Sequence, residues 1–173
     1  MNTSASLTAI ELGSGCGIAG IAFAQLWPRC RIYLTDLADA MNVLESNIAK
    51  AAPALETEIH HATLDWEVDL PLEFRNVIFD LVLVSECIYN SDTIPALVKI
   101  LAAIADASPN VLVLISTKRR HSSELMLFEL LSTAGFFELN HISLILPDEN
   151  RTITEEPLEQ VQIYQYQRIG ESL

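Results

Sequence analysis

The sequence predicts an α/β fold: a mostly parallel sheet, helices on both of its faces, and an antiparallel strand pair at the carboxyl end. Three observations carry this. Short β-type runs alternate with helical patterns along most of the chain, the signature of βαβ units. A glycine-rich turn, Gly13-Ser14-Gly15-Cys16-Gly17, joins the first run to the first helical pattern. Val77 to Ser85 is a near-continuous apolar run, as a strand covered on both faces requires.

Each element follows from its residues. Thr8 to Leu12 reads as a strand, and Ile18 to Trp27 as a helix closed by Pro28. Arg31 to Thr35 is a second strand. Ala38 to Ala52 is a helix with Met41, Leu44 and Ile48 on one face, ending before Pro53. Leu55 to Leu64 is a third strand whose charged and histidine content suits an exposed or edge position, and Asp65 to Asn76 is a loop. Val77 to Ser85 is a central fourth strand. Thr93 to Ala107 is a helix that tolerates Pro95 in its first turn, and Asn110 to Ser116 is a buried fifth strand. His121 to Thr133 is helical and stops at Gly135. Phe136 to Leu146 and Gln160 to Arg168 are strand-like with no helix between them, so they pair antiparallel, making seven strands.

Composition narrows the classes of function. At 173 residues, half of them apolar, the chain is expected to form one domain over residues 1–173 without disulfides or metals. Its three cysteines, Cys16, Cys30 and Cys87, fit neither a disulfide framework nor a zinc site, which points to a reducing compartment, cytoplasm or nucleus. Cys16 and Cys87 read as small buried fillers. No apolar stretch is long enough to span a bilayer and no signal peptide opens the chain. A formal charge of -13 repels a phosphate backbone and attracts cationic partners, so nucleic acid is a poor ligand. The expected form is a monomer. His60 and His61 point to opposite sides of a strand and do not share a metal.

Candidate site residues lie where the strands end. Gly13, Gly15 and Gly17 let the backbone turn tightly and approach a ligand. A dinucleotide site uses the same strand, turn and helix, but a GxGxxG pattern starting at Gly13 places Ile18 where its third glycine belongs. Glu11 suits S-adenosylmethionine better than a nicotinamide dinucleotide, because a carboxylate just before the glycines, with water, can hold the cofactor's ammonium group. Asp36, directly after the second strand, is placed to accept from two ribose hydroxyls, or else to cap the following helix, a task for which Asp39 competes. Asp65 can accept from an adenine amino group, and Trp66 offers a flat wall or a core anchor.

Ser85-Glu86-Cys87-Ile88-Tyr89-Asn90 ends the fourth strand, where ligands bind in open α/β sheets. Methyl transfer from a sulfonium is an in-line displacement dominated by positioning. Glu86 therefore reads as an orienting or product-stabilising group and Tyr89 as a wall or hydrogen-bonding partner, while Ser85 beside them is a candidate cofactor-binding residue. The plainer reading has Glu86 capping the helix near Thr93 and Tyr89 in the core. Lys118, Arg119 and Arg120 are a solvated turn or a contact to substrate.

Together, ELGSGCGIAGI, LTD with the following Asn47-Ile48, LDW, FDLVLVSECIYN and TKRR make the chain resemble the family 16 protein methyltransferases, from about residue 10 to 168. The resemblance implies a Rossmann-like, seven-strand class I methyltransferase that uses S-adenosylmethionine to methylate a lysine amine of a protein. It assigns Glu11, Gly13, Gly15, Gly17, Asp36 and Trp66 to the cofactor, and Glu86 and Tyr89 to the acidic-x-x-aromatic motif near the target lysine. The acidic balance points to a basic target surface. A small-amine N-methyltransferase and a silent methyltransferase-like binding module are the alternatives. Two departures stand out. Glu86 occupies a position where the family most often has Asp. The family also carries a stretch before the first strand, with a tryptophan segment and a helix covering the cofactor's methionine end, whereas here the glycine-rich turn begins at residue 13. A chain short at its amino terminus, with exposed apolar surface, is the expectation.

Overall fold

Strand β1 (Thr8–Leu12) sorts the interior in two. Successive side chains of a strand point to opposite faces. Ile10 and Leu12 enter one apolar cluster with Val82, Val84, Val113, Ile115 and the buried face of a later helix, while Ala9 enters a second with Ile32, Leu34, Ala24 and Leu44. A computed structural model describes residues 6–88, 90–118, 123–145 and 160–168. In chain order β1 is followed by α1 (Ile18–Leu26), β2 (Arg31–Asp36), α2 (Met41–Ala51), β3 (Glu58–Thr63), α3 (Leu72–Arg75), β4 (Leu81–Ser85), α4 (Ile94–Ala107), β5 (Leu112–Lys118), α5 (Ser123–Thr133), β6 (Phe136–Ile145) and β7 (Gln160–Arg168).

The described strands form one seven-stranded sheet in the order β3-β2-β1-β4-β5-β7-β6. β1 pairs in parallel with both β2 and β4, and β4 with β5, whereas β7 runs antiparallel between β5 and β6. The seven-strand class I architecture and its terminal antiparallel pair are as the sequence predicts, with β4 central and β3 at an edge. Because strand order reverses between β1 and β4, the loops after their carboxyl ends diverge and leave a crevice there.

α4 supplies a large share of the first cluster, with Leu97, Ile100, Leu101 and Ile104 fully buried. Its Pro95 sits in the first turn, where a missing N–H costs nothing. α1 packs by its small residues: Gly20 and Ala24 are buried, while Ile18 and Leu26 are 75% and 77% exposed. Arg168 fastens β7 to the helices by donating to the carbonyls of Ala134 and Ala102 and pairing with Asp106. Among the described residues no helix is long and apolar enough to cross a membrane.

Several boundaries differ from the sequence-based expectation. The fourth strand begins at Leu81: Asp80 N–H already donates to Thr8 O, but before it Phe79 plugs the core and gives its N–H to Ser108 Oγ instead of to a strand. The 65–76 stretch holds the one-turn helix α3, whose Phe74 is buried. The second long helix is α only over Met41–Ala51, with 3-10 turns at Ala38–Ala40 and Ala52–Ala54 on either side. β3 is shorter than expected, β5 starts at Leu112 and runs to Lys118, and α4 follows a separate 3-10 turn at Ser91–Thr93. Cys16 is exposed, not a buried filler. Residues 119–122 and Leu146 lie outside the described residues.

Candidate active site

The turn after β1 is held in a conformation that glycine alone adopts cheaply. Gly13, Gly15 and Gly17 have φ of 70°, 55° and 81°. Gly17 N–H donates to Ser14 O at 2.7 Å, and Ser14 N–H to Thr35 O at 3.0 Å, tying the turn to the end of β2. A Cβ at Gly13 would lie 2.6 Å from Cys87 Sγ and 3.2 Å from the Trp66 ring. The turn, the loop after β4 and the loop after β3 therefore meet at one point.

Around that point lies a cavity of about 550 Å³ lined from four strand ends. Gly13 and Gly15 come from the first, Asp36 and Leu37 from the second, Leu64, Asp65, Trp66 and Glu67 from the third, and Glu86 and Cys87 from the fourth. Thr93 and Ala96 complete it from the start of α4. Its size falls in the range of about 300–1,000 Å³ typical of small-molecule and cofactor sites.

Asp36 is fixed on both oxygens. Gly15 N–H donates to Oδ2 at 2.6 Å and Leu37 N–H to Oδ1 at 2.7 Å, which leaves lone pairs of both oxygens for a ligand. It caps no helix, and the nearby 3-10 turn has no side-chain cap. Asp65 accepts the Glu67 N–H at 2.9 Å, so the loop after β3 is closed by its own carboxylate with Trp66 half-buried against the core. Cys87 is buried, and its thiol donates towards Leu12 O at 3.2 Å and Ser85 O at 3.3 Å. Burial pushes this thiol up to about 12, so it is a neutral clasp between β1 and β4 and not a nucleophile.

Glu86 is exposed at the rim in the left-handed region, with φ 55°, and its N–H donates to Ser116 O at 2.9 Å. A side chain at positive φ costs of order 1 kcal/mol, and such strain concentrates at functional positions. Asn90, not Glu86, caps the turn before α4, accepting the Asp92 N–H at 3.0 Å.

Of the sequence-predicted residues, Gly13, Gly15, Asp36, Asp65, Trp66 and Glu86 line the cavity, while Glu11, Gly17 and Ser85 are not among its lining residues. Tyr89 lies outside the described residues. Gly17 precedes α1, and a Cβ there would meet Leu44 Cδ1 at 2.6 Å, so packing accounts for it. Glu11 is 1% exposed, its Oε2 accepting the Gly20 N–H at 3.2 Å. Burial raises its carboxyl from the ordinary 4.5 to about 7, against the lowering effect of the Ser14 and Gly20 hydrogen bonds. Sequence reasoning missed Leu37, Leu64, Glu67, Cys87, Thr93 and Ala96. Their placement directly after strand ends or at the start of α4 was the available signal. His60 stacks on Tyr33 with 4.9 Å between ring centroids, while His61 faces outward.

Solved structures share this architecture. A precorrin-6y C5,15-methyltransferase from Geobacter metallireducens superposes with a TM-score of 0.63 at 13% identity, covering 94% of this chain and 80% of that one. A 16S rRNA adenine methyltransferase from Catenulisporales acidiphilia gives 0.67 at 15% identity, covering 96% and 90%. Names as different as precorrin-6y methyltransferase and 16S rRNA methyltransferase on one architecture show that the fold does not choose the substrate. Sequence relatives are more particular. The chain is 35% identical over 118 residues to a UPF0665 family protein of Schizosaccharomyces pombe, covering 68% of this chain and 35% of the relative. It is 30% identical over 118 residues to the protein N-lysine methyltransferase METTL21A of Mus musculus, covering 68% and 52%. It is 26% identical over 153 residues to the protein-lysine N-methyltransferase EFM6 of Saccharomyces cerevisiae, covering 76% and 61%. The chain thus spans from about a third to about three fifths of the length of these relatives. A family model described as lysine methyltransferase matches residues 1–134, which takes in the glycine-rich turn, the carboxylates after β2 and β3, and Glu86. On that match the chain belongs to the lysine methyltransferase family.

Proposed function

We propose that this chain transfers a methyl group from S-adenosylmethionine to a lysine side-chain amine of a protein. One observation carries the reading: the carboxylates of Asp36, Asp65, Glu67 and Glu86 all line the cavity, and the described residues that line it include no lysine or arginine. A dinucleotide brings a pyrophosphate, which carboxylates at four points of the lining disfavour. S-adenosylmethionine brings a sulfonium and an ammonium, and the acceptor lysine a further cation before it reacts.

When bound, S-adenosylmethionine supplies an electrophilic methyl group on sulfur. The chain's residues would do the remaining work. Asp36, held by the amides of Gly15 and Leu37, presents its free lone pairs to the ribose hydroxyls. Asp65 and Trp66 form the adenine end. At the rim Glu86 orients the incoming amine and stabilises the methylammonium formed. A carboxylate there favours the charged amine beforehand, so Glu86 is not the base that frees the lone pair. Positioning then dominates the rate. The relatives named as protein-lysine methyltransferases support a protein acceptor over a small amine.

Calorimetric titration with S-adenosylmethionine, its demethylated product and NAD tests the cofactor, and mass spectrometry of protein substrates after incubation tests the acceptor. Binding of the first two without NAD, and a mass increase of one or more methyl groups on lysine, are the expected results. NAD binding would refute the cofactor assignment, and methylation confined to small amines would refute the acceptor.

A further inference from the structure

The position before helix α1 is Gly17, which has no side chain to cap it, and the first turn of the helix holds no acidic residue. An uncapped helix start leaves backbone N–H groups without partners, and in a buried setting they must find one. The partner here comes from a different element. Glu11, on the α1 side of β1, reaches under the turn and accepts the N–H of Gly20, the third residue of the helix. A capping side chain ordinarily serves that N–H from the position just before the helix.

Two neighbours make this reach possible. Gly20 has no Cβ, and one placed there would lie 2.6 Å from Glu11 Oε2 and 2.1 Å from Leu34 Cδ2, so only glycine admits the carboxylate to the amide. The Glu11 carbonyl is held in turn by Thr35 Oγ1–H at 2.6 Å. The carboxylate also sits at the positive end of the α1 dipole. It is buried, and it is not among the residues lining the cavity.

We propose that Glu11 is a positioning residue, capping α1 from inside the protein and so holding the Gly13-to-Gly17 turn in shape, and that it does not itself touch the cofactor. This rests on the methyltransferase reading for the ligand, but the capping role does not. The groups facing Glu11 are few: Asp36 at the end of β2 and the Cys87 thiol from the loop after β4, with no charged side chain on α1. Ionised Glu11 is the stronger acceptor for the Gly20 N–H, so this one hydrogen bond tightens as the carboxyl loses its proton near neutrality, even though burying the charge costs the fold as a whole.

The test compares Glu11→Gln, which keeps an acceptor without charge, with Glu11→Leu, which keeps neither. The amide resonance of Gly20 is followed from pH 5.5 to 8.5 without ligand, and S-adenosylmethionine affinity is measured by calorimetry over the same range. The Gly20 resonance should titrate in the parent and stay flat in Glu11→Gln. The Gln variant should bind at least tenfold more tightly than the Leu variant, and the rise of affinity with pH seen in the parent should be smaller or absent in it. A Gly20 resonance that does not titrate in the parent would overturn the proposal. So would equal losses in the two variants, the result expected of a charge that contacts the cofactor's ammonium. If the parent binds no S-adenosylmethionine, the methyltransferase reading fails, while the Gly20 titration still decides the cap.

Discussion

Replacing Glu11 by Gln should change how stability depends on pH, and the size of the change follows from the burial of one carboxyl. In the folded chain Glu11 titrates at about 7 in place of the ordinary 4.5, chiefly because it is 1% exposed. The folded state therefore binds the proton more tightly than the unfolded state. Stability from this group is fully present below about pH 4.5 and is lost as pH rises through about 7. At about 1.4 kcal/mol per pH unit the loss comes to about 3 kcal/mol. Glutamine carries no such titration, and the other acids that make the chain -13 are common to both proteins and cancel in the difference. For a domain of this size about 3 kcal/mol corresponds to roughly 6–12 °C in Tm. Thermal unfolding of parent and Glu11→Gln from pH 4.5 to 8.5 should show the two Tm curves diverging across neutrality, the variant becoming the more stable on the alkaline side. Parallel curves would refute the reasoning, because they would mean that Glu11 is solvated or already ionised at acid pH.

Three further predictions follow from the cavity. Asp36→Ala should weaken S-adenosylmethionine binding by about ten- to a hundredfold, since two ribose hydroxyls lose a charged acceptor worth roughly 1.5–3 kcal/mol; calorimetry on the folded variant reads it, and unchanged affinity would remove Asp36 from the site. Gly13→Ala should destabilise by about 1–3 kcal/mol in urea, because its φ is 70° and the new Cβ would lie 2.6 Å from Cys87 Sγ. Adding Cys87→Ala should recover part of that loss, and strict additivity of the two changes would count against the contact. At φ 55°, Glu86→Gly should be more stable than Glu86→Ala by about 1 kcal/mol, yet both should lose methyl transfer while binding the cofactor; equal turnover in either would dismiss the proposed role of Glu86.

Much of the fold was legible because its elements report themselves locally. β1 and β7 begin and end where their side-chain alternation and flanking residues place them, and the polar Glu58–Thr63 run marks the edge strand that the sheet order confirms. The errors share a cause. Apolar character reports burial, not pairing. Val77 to Asp80 joins an apolar run to β4, but Phe79 is buried as a plug and the residue-by-residue register with β1 starts at Leu81, just after the single Asp80 N–H bond to Thr8 O. At four residues, α3 is too short for any helical period to appear. The 3-10 turns around α2 use the same residues as a longer helix would, and differ only in which carbonyl each amide finds.

The site was legible to the extent that it is built from strand ends, which is why Gly13, Gly15, Asp36, Asp65, Trp66 and Glu86 fall together on one cavity. Its glycines and acids divide differently from how the motif reads. Gly13 borders the ligand space and also avoids Cys87, Gly17 avoids Leu44, and Gly20 makes room for Glu11. Such reasons depend on what arrives from elsewhere in the chain, so spacing alone does not disclose them. A glycine-rich turn with an acid before it is thus in part a record of packing, and packing would persist in a relative that had lost its ligand. The acids at the cavity are different evidence, because neither the Glu67 nor the Glu86 side chain is needed to bury anything: both are exposed. Four carboxylates around one crevice give it a negative potential, which favours a cationic ligand there over an anionic one.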